Sequence, residues 1–238
     1  MNDELKALHT NQTWHLVPRP TTTNIIGSKW VYRIKYKSDG SVDHYKARLV
    51  AQGFNQVAGL DFSHTFSPVV KSSTIRVVLT LATIHKWHLK QLDVNNAFLN
   101  DNLTETVFME QPPGFQDPNR PNHVCKLNRA IYSLKQAPHA WFQRLSSFLI
   151  TLGFQCSRAD PSLFIFNHDG TLIYILVYVD DIIITGNNER FITSFTNRLH
   201  KEFKIKDLGS LSFFLGLEVT HTKFGVFTRN LKLKILAH

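Results

Sequence analysis

The chain has 238 residues, 43% of them hydrophobic and 18 of them Phe, enough for a substantial buried core and too apolar for a disordered polymer. Its two cysteines, Cys125 and Cys156, stand in no metal-ligand spacing, which argues against a disulfide scaffold or a zinc module. The net charge of +9 is uneven: residues 1–90 hold 12 Lys+Arg against 5 Asp+Glu (+7), 91–158 hold 6 against 5 (+1), and 159–238 hold 9 against 8 (+1). A basic excess confined to one third of the chain suits contact with a polyanion, although a solvated basic face gives the same numbers.

The opening Met-Asn-Asp-Glu-Leu-Lys is no signal peptide, and no run is long and apolar enough to span a bilayer, so an intracellular setting without membrane contact is expected. Residues 1–12 start as a short helix with Leu5 and Leu8 on one face. Residues 13–28, with Pro18, Pro20 and Gly27, read as loop. From Trp30 to Lys37 apolar and basic residues alternate. Asp39-Gly40 then marks a hairpin turn, and a return strand runs over about His44 to Ala51. This register puts Arg33, Lys35, Lys37, Lys46 and Arg48 on one side, able to clamp phosphates or simply to face water.

Ser73 to His85 has helical character, with Ser72 or Ser73 as its cap. A short strand ends near Asp93, and the chain turns through Asn95-Asn96 with Ala97-Phe98 packed behind; Asp93 is either an acid at a strand tip or a helix cap. Residues 111–122 form a Pro-rich connection, and a helix covers about Trp141 to Leu152, ending at Gly153. Strands over Ser162–Phe166 and from Thr171 are joined by a turn at Asn167–Gly170.

Leu172 to Gly186 is the most informative stretch. Two β-branched runs flank adjacent carboxylates, Asp180 and Asp181, which reads as a tight hairpin with both acids at the bend. Acids among so much apolar surface are solvated, paired or bound to a cation. An Asp turn and a Mg²⁺ site both satisfy the pattern, and the metal reading needs a third acid from elsewhere. Asn188 to Phe203 has helical spacing, and Asp207 to Val219 gives a final pair of strands. Mixed helices and antiparallel strands without βαβ alternation indicate an α+β fold.

Several landmarks then fall in one order: Asp93 at a strand tip, Leu134-Lys-Gln-Ala-Pro138, and Tyr178-Val-Asp-Asp181. Around them stand Gly27-Ser-Lys-Trp30, Tyr45-Lys-Ala-Arg-Leu-Val-Ala-Gln-Gly53, Phe66-Ser-Pro-Val-Val70, Gln91-Leu-Asp-Val-Asn-Asn-Ala-Phe-Leu99, Gln111-Pro-Pro-Gly-Phe115, Lys206-Asp-Leu-Gly209 and Phe214-Leu-Gly-Leu-Glu218. From about Leu8 to Phe227 the chain resembles the reverse transcriptase domain of copia-type long-terminal-repeat retrotransposon polyproteins.

The resemblance implies a right-hand polymerase whose fingers cover about 1–86 and 102–140 and whose palm covers about 87–101 and 141–225. A divergent tail would occupy 226–238, and the thumb and ribonuclease H regions would be missing. It implies RNA-directed DNA polymerase activity on an RNA or DNA template with a primer, using deoxynucleoside triphosphates. Two Mg²⁺ ions, replaceable by Mn²⁺, would be held by Asp93, Asp180 and Asp181 with the Val94 carbonyl, and such ions lie ~3.5–4 Å apart. By the same carry-over Phe98 resembles the steric gate under the sugar, and Gln136 the glutamine beside the incoming nucleotide. Lys46 and Arg48 resemble the triphosphate cations, and Leu215-Gly216-Leu217 the primer grip. Without a thumb, primer–template binding is expected to be weak and steeply salt-dependent.

Three positions depart from the family pattern: Ser133 and Asp101 where Gly is usual, and His139 where Arg is usual. Positive φ at Ser133 or Asp101 would cost about 1 kcal/mol each. An inactive remnant that binds nucleic acid through basic fingers is the alternative. A two-aspartate phosphohydrolase is a third reading, which leaves the basic hairpin and Phe98 unexplained.

Overall fold

Short strands alternate with helices in the order α1 (Asn2–Thr10), β1 (Trp14–Pro18), β2 (Ile25–Ile26), β3 (Ser28–Tyr36), β4 (Val42–Ala51), α2 (Ser72–Ile84), β5 (Lys90–Val94), β6 (Phe108–Met109), β7 (His123–Leu127), α3 (Ala137–Thr151), β8 (Gln155–Cys156), β9 (Leu163–His168), β10 (Thr171–Tyr178), β11 (Asp181–Gly186), α4 (Glu189–Glu202), β12 (Ile205–Ser210), β13 (Phe213–Phe214), β14 (Leu217–Thr222) and β15 (Gly225–Asn230). This computed structural model describes every residue except Ser38, Asn95, Asp101, Asn102, Gly216, Lys223, Phe224 and 231–238. The class is α+β, as expected. The chain divides into two units, one of Met1–Ser67 with Phe98–Arg144, the other of Pro68–Ala97 with Leu145–His238.

The first unit holds the β3–β4 hairpin and a sheet in the order β1-β7-β6-β2. The hairpin closes at Asp39-Gly40: Gly40 takes φ +83°, and the Asp39 carboxylate accepts the Ser41 N–H at 2.8 Å. Its base is anchored because Leu49 and Ala51 join a buried cluster with Leu8, Ile26, Met109, Ile131 and Leu134, against which Trp30 packs. Leu5 and Leu8, three apart on α1, supply the buried face of that helix.

The second unit is built on a six-stranded sheet, β12-β5-β11-β10-β9-β8. Ile175 to Val177 and Ile182 to Ile184 are all buried, which is why β10 and β11 read as continuous apolar runs rather than alternating ones. Helix α2 packs Ile75, Val78, Leu79 and Ala82 into the cluster containing Leu176, Ile183, Leu211 and Phe214. The β9–β10 turn is Asp169-Gly170, both at positive φ (+47° and +72°), the geometry whose twist matches a two-residue hairpin.

Some expectations shift. Helix α2 belongs to the second unit, because its apolar face, not its sequence neighbourhood, decides where it packs. Its cap is neither Ser72 nor Ser73. The Lys71 N–H (2.9 Å) and the Thr74 hydroxyl (2.6 Å) both donate to the buried Asp160 carboxylate. Helix α3 begins at Ala137, four residues earlier than its periodicity suggests, with Pro138 in the first turn where no N–H is needed. The final pair of strands is replaced by two features: β12 joins the main sheet beside β5, and β13-β14-β15 form a separate sheet extending to Asn230.

Candidate active site

The acid pair lies at the end of the β10–β11 hairpin. Tyr178 and Asp181 are its last paired residues, so the turn is Val179–Asp180 and Asp181 already belongs to the return strand. The bend therefore falls one residue earlier than expected. Val179 has φ +53°, which a β-branched side chain rarely adopts, and such outliers persist where the surroundings over-determine the backbone.

Strand β5 lies beside β11 with Asp93 directly opposite Asp181, and the Val94 N–H donates to the Asp180 carbonyl at 2.9 Å. Opposed residues on antiparallel strands share a face, with Cβ atoms ~4.5–5.5 Å apart. On the other edge of β5, Lys206 of β12 stands opposite Asp93, bringing a cation to the same face. Burial pushes the Asp181 carboxyl up; the charge of Asp180 and, less strongly, that of Asp93 add to this, while a long contact from Gln91 Nε2 (3.5 Å) opposes it. Hard oxygen donors crowded with negative charge suit a divalent ion such as Mg²⁺. Among the described residues, however, no three His, Cys, Asp or Glu groups form a ready-made ligand cluster. The acids fit such an ion in their chemistry and in their strand positions.

Lys46 and Arg48 lie on β4 in the first unit. Arg33 pairs with Lys46, Val31 with Arg48 and Lys35 with His44, so Arg33, Lys35, Lys46 and Arg48 share one face; Lys37 lies past an irregularity in the pairing at Tyr36. The opposite face presents Tyr32, Tyr36 and Tyr45, exposed by 63%, 63% and 78%. The Arg48 guanidinium lies 4.6 Å from the centre of the Tyr132 ring, and Phe98 meets the same ring edge-on at 5.2 Å.

Gln136 is buried, and its amide is held within the protein: Oε1 accepts from Gln56 Nε2 (3.0 Å) and Nε2 donates to the Asp61 carbonyl (2.9 Å). Ser133 has φ +68°, the conformation for which Gly is the ordinary choice, while Asp101 lies outside the described residues. His139 Nδ1 is 2.6 Å from the Phe66 carbonyl, so the imidazole ties the first turn of α3 to the loop at Phe66. Of the positions expected to form a primer grip, Leu215 has φ +50° in the turn before β14 and Leu217 begins that strand, while Gly216 lies outside the described residues. Sequence reasoning misses Lys206, Gln91, Gln56 and Tyr132. The first two emerge only from strand pairing. Tyr132 lies two residues before the Leu134–Pro138 motif, and its aromatic ring is the available signal.

The model of the family described as reverse transcriptase (RNA-dependent DNA polymerase) matches residues 11–233. The chain belongs to the reverse transcriptase family. It is 49% identical over 227 residues to the retrovirus-related Pol polyprotein from transposon RE1 of Arabidopsis thaliana, covering 95% of this chain and 16% of that protein. It is 38% identical over 224 residues to the polyprotein from transposon TNT 1-94 of Nicotiana tabacum, covering 94% of this chain and 17% of that one. This reverse transcriptase domain thus spans about one-sixth of the length of the curated relatives it matches. Truncated apo telomerase from Candida tropicalis superposes over 96% of this chain and 60% of its own, with a TM-score of 0.46 at 10% identity, too distant to fix subdomain boundaries. Among the described residues no helix is long and apolar enough to cross a membrane.

Proposed function

We propose that this domain carries fingers and palm elements of an RNA-directed DNA polymerase of copia type, extending a primer 3′-hydroxyl by one deoxynucleotide at a time against an RNA or DNA template. The observation that supports this most is the pairing of Asp93 with Asp181, beside the turn that carries Asp180. Asp93, Asp180, Asp181 and the Val94 carbonyl would hold two Mg²⁺ ions, with Mn²⁺ as a substitute. Bound there, such ions would lower the pKa of the primer hydroxyl and offset the charge of the triphosphate and the departing pyrophosphate.

The chain's own groups supply the rest. Lys46 and Arg48 offer cations to the triphosphate. Phe98 places an aromatic wall against the sugar, so that a 2′-hydroxyl clashes, and Leu215-Gly216-Leu217 holds the primer end. Gln136 contributes either from its buried network or after exchanging its bond with Gln56 for one to the nucleotide. The basic face of the β3–β4 hairpin tracks phosphates, and the exposed tyrosines opposite it suit stacking with unpaired template bases.

The test is extension of oligo(dT) on poly(rA) by the purified chain with Mg²⁺ or Mn²⁺. Incorporation that Asp180→Asn abolishes supports the proposal. Salt-sensitive RNA binding with no incorporation under either ion would instead favour the nucleic-acid-binding remnant.

A further inference from the structure

Tyr132 sits between two side chains of the first unit that would touch different parts of an incoming nucleotide. One face of its ring lies under the Arg48 guanidinium at 4.6 Å, and Phe98 meets it at 5.2 Å with an interplanar angle of 81°. The first is a cation–π contact and the second an edge-to-face pair, both directional, so each fixes an angle as well as a distance. Arg48 Nε is buried without a hydrogen-bond partner among the described residues.

The ring is held by its own backbone. The Tyr132 carbonyl accepts the Ala51 N–H at 2.9 Å, and Val50 bridges to Tyr132 in parallel register. Ser133 follows at φ +68°, and its carbonyl lies where a side chain at Gly53 would otherwise go. Tyr132 is therefore locked to the end of β4, within a few residues of Arg48, with its ring against Phe98.

We infer that Tyr132 is a positioning residue for nucleotide selection, setting the separation between the triphosphate cation Arg48 and the sugar wall Phe98. This rests on the polymerase reading and adds to it a residue that touches neither reacting group. A rigid spacer between the phosphate anchor and the sugar wall makes a 2′-hydroxyl clash; a floppy one lets the sugar shift and escape it. The aromatic ring carries this role.

The experiment compares full-length wild type, Tyr132→Phe and Tyr132→Leu for incorporation of dTTP and UTP on poly(rA)/oligo(dT). It also measures dTTP binding with Ca²⁺ and no turnover. Tyr132→Leu should raise the dTTP KM about tenfold and lower the dTTP-over-UTP preference about tenfold, the scale of one aromatic pair and one cation–π contact. Primer–template affinity should stay unchanged, and Tyr132→Phe, which keeps the ring, should hold more of the dTTP-over-UTP preference than Tyr132→Leu. If Tyr132→Leu does not fold, Tyr132→Met, of similar bulk and without a ring, takes its place. Equal selectivity in wild type and the ring-less variant, or a Phe variant as impaired as Leu, overturns the inference. If wild type incorporates nothing, the polymerase reading fails separately. Binding of dTTP weaker in Leu than in Phe then still supports Tyr132 as positioning, and binding that is absent or indifferent to Tyr132 rejects it.

Discussion

Asp93 and Asp181 stand opposite one another on β5 and β11, although residues 98–144, which belong to the other unit, lie between them in sequence. Like charges directly opposed on one face of a sheet oppose folding. Burial and the neighbouring acids raise the Asp181 carboxyl above its ordinary value. A carboxyl raised in the folded state destabilises that state as pH rises past the unfolded value. Asp181→Asn should therefore stabilise the ion-free protein at neutral pH by up to ~1 kcal/mol. Urea unfolding in EDTA checks this; an unchanged or lower midpoint contradicts it.

Ser133 is a place where the chain sacrifices stability. Its φ of +68° is unfavourable for any residue with a Cβ. Ser133→Gly should raise stability by about 1 kcal/mol, visible as a higher thermal midpoint. Gly53→Ala should do the reverse, since its new methyl would meet the Ser133 carbonyl.

Asp160 links the β8–β9 connection to the start of α2. Burial alone would raise its carboxyl, but hydrogen bonds from the Thr74 hydroxyl and the Lys71 and Ser162 N–H groups outweigh this and hold it below the usual value. With the folded value depressed, the stabilisation is full above the unfolded value near 3.8 and disappears as pH falls through the folded one. Asp160→Asn should cost ~1–3 kcal/mol at pH 7. It should also flatten the loss of stability between about pH 5 and pH 2 in denaturant titrations, relative to wild type.

The basic face of the β3–β4 hairpin sets a salt dependence. Arg33→Ala and Lys35→Ala should each weaken binding to poly(rA)/oligo(dT) and reduce the slope of log affinity against log salt by about one. Tyr45→Ala should weaken binding to unpaired RNA by ~1–3 kcal/mol with little change in that slope. Fluorescence anisotropy across a salt series separates the two. Equal slopes for the Arg33 and Tyr45 variants would contradict the division of the hairpin into a charged and a stacking face.

Local signals are legible wherever one segment decides the outcome. Strict alternation from Trp30 and the Asp39-Gly40 pair specify the hairpin and its charged side, and Leu5 and Leu8 specify the buried face of α1. Adjacent acids between apolar runs specify the β10–β11 hairpin, but not that Val179 takes the strained turn position, because no local pattern asks for Val there. Long-range pairing is not legible. Nothing in Lys206 announces that β12 lies beside β5, and nothing in Asp160 announces a cap for a helix that begins at Ser72. Gln136 and Gln56 illustrate the same limit: nothing in either residue announces that folding buries Gln136 against Gln56 and the Asp61 carbonyl.

The most direct measurement is single-turnover dTTP incorporation on poly(rA)/oligo(dT) by wild type and Asp93→Asn, with folding verified for both. If Asp93 works with Asp180 and Asp181 on divalent ions, the variant should lose ~10³-fold or more in rate, about 4 kcal/mol of transition-state stabilisation. Excess Mn²⁺ should leave most of that loss in place. A folded Asp93→Asn protein that incorporates dTTP at the wild-type rate would show that the acid facing Asp181 takes no part in the chemistry.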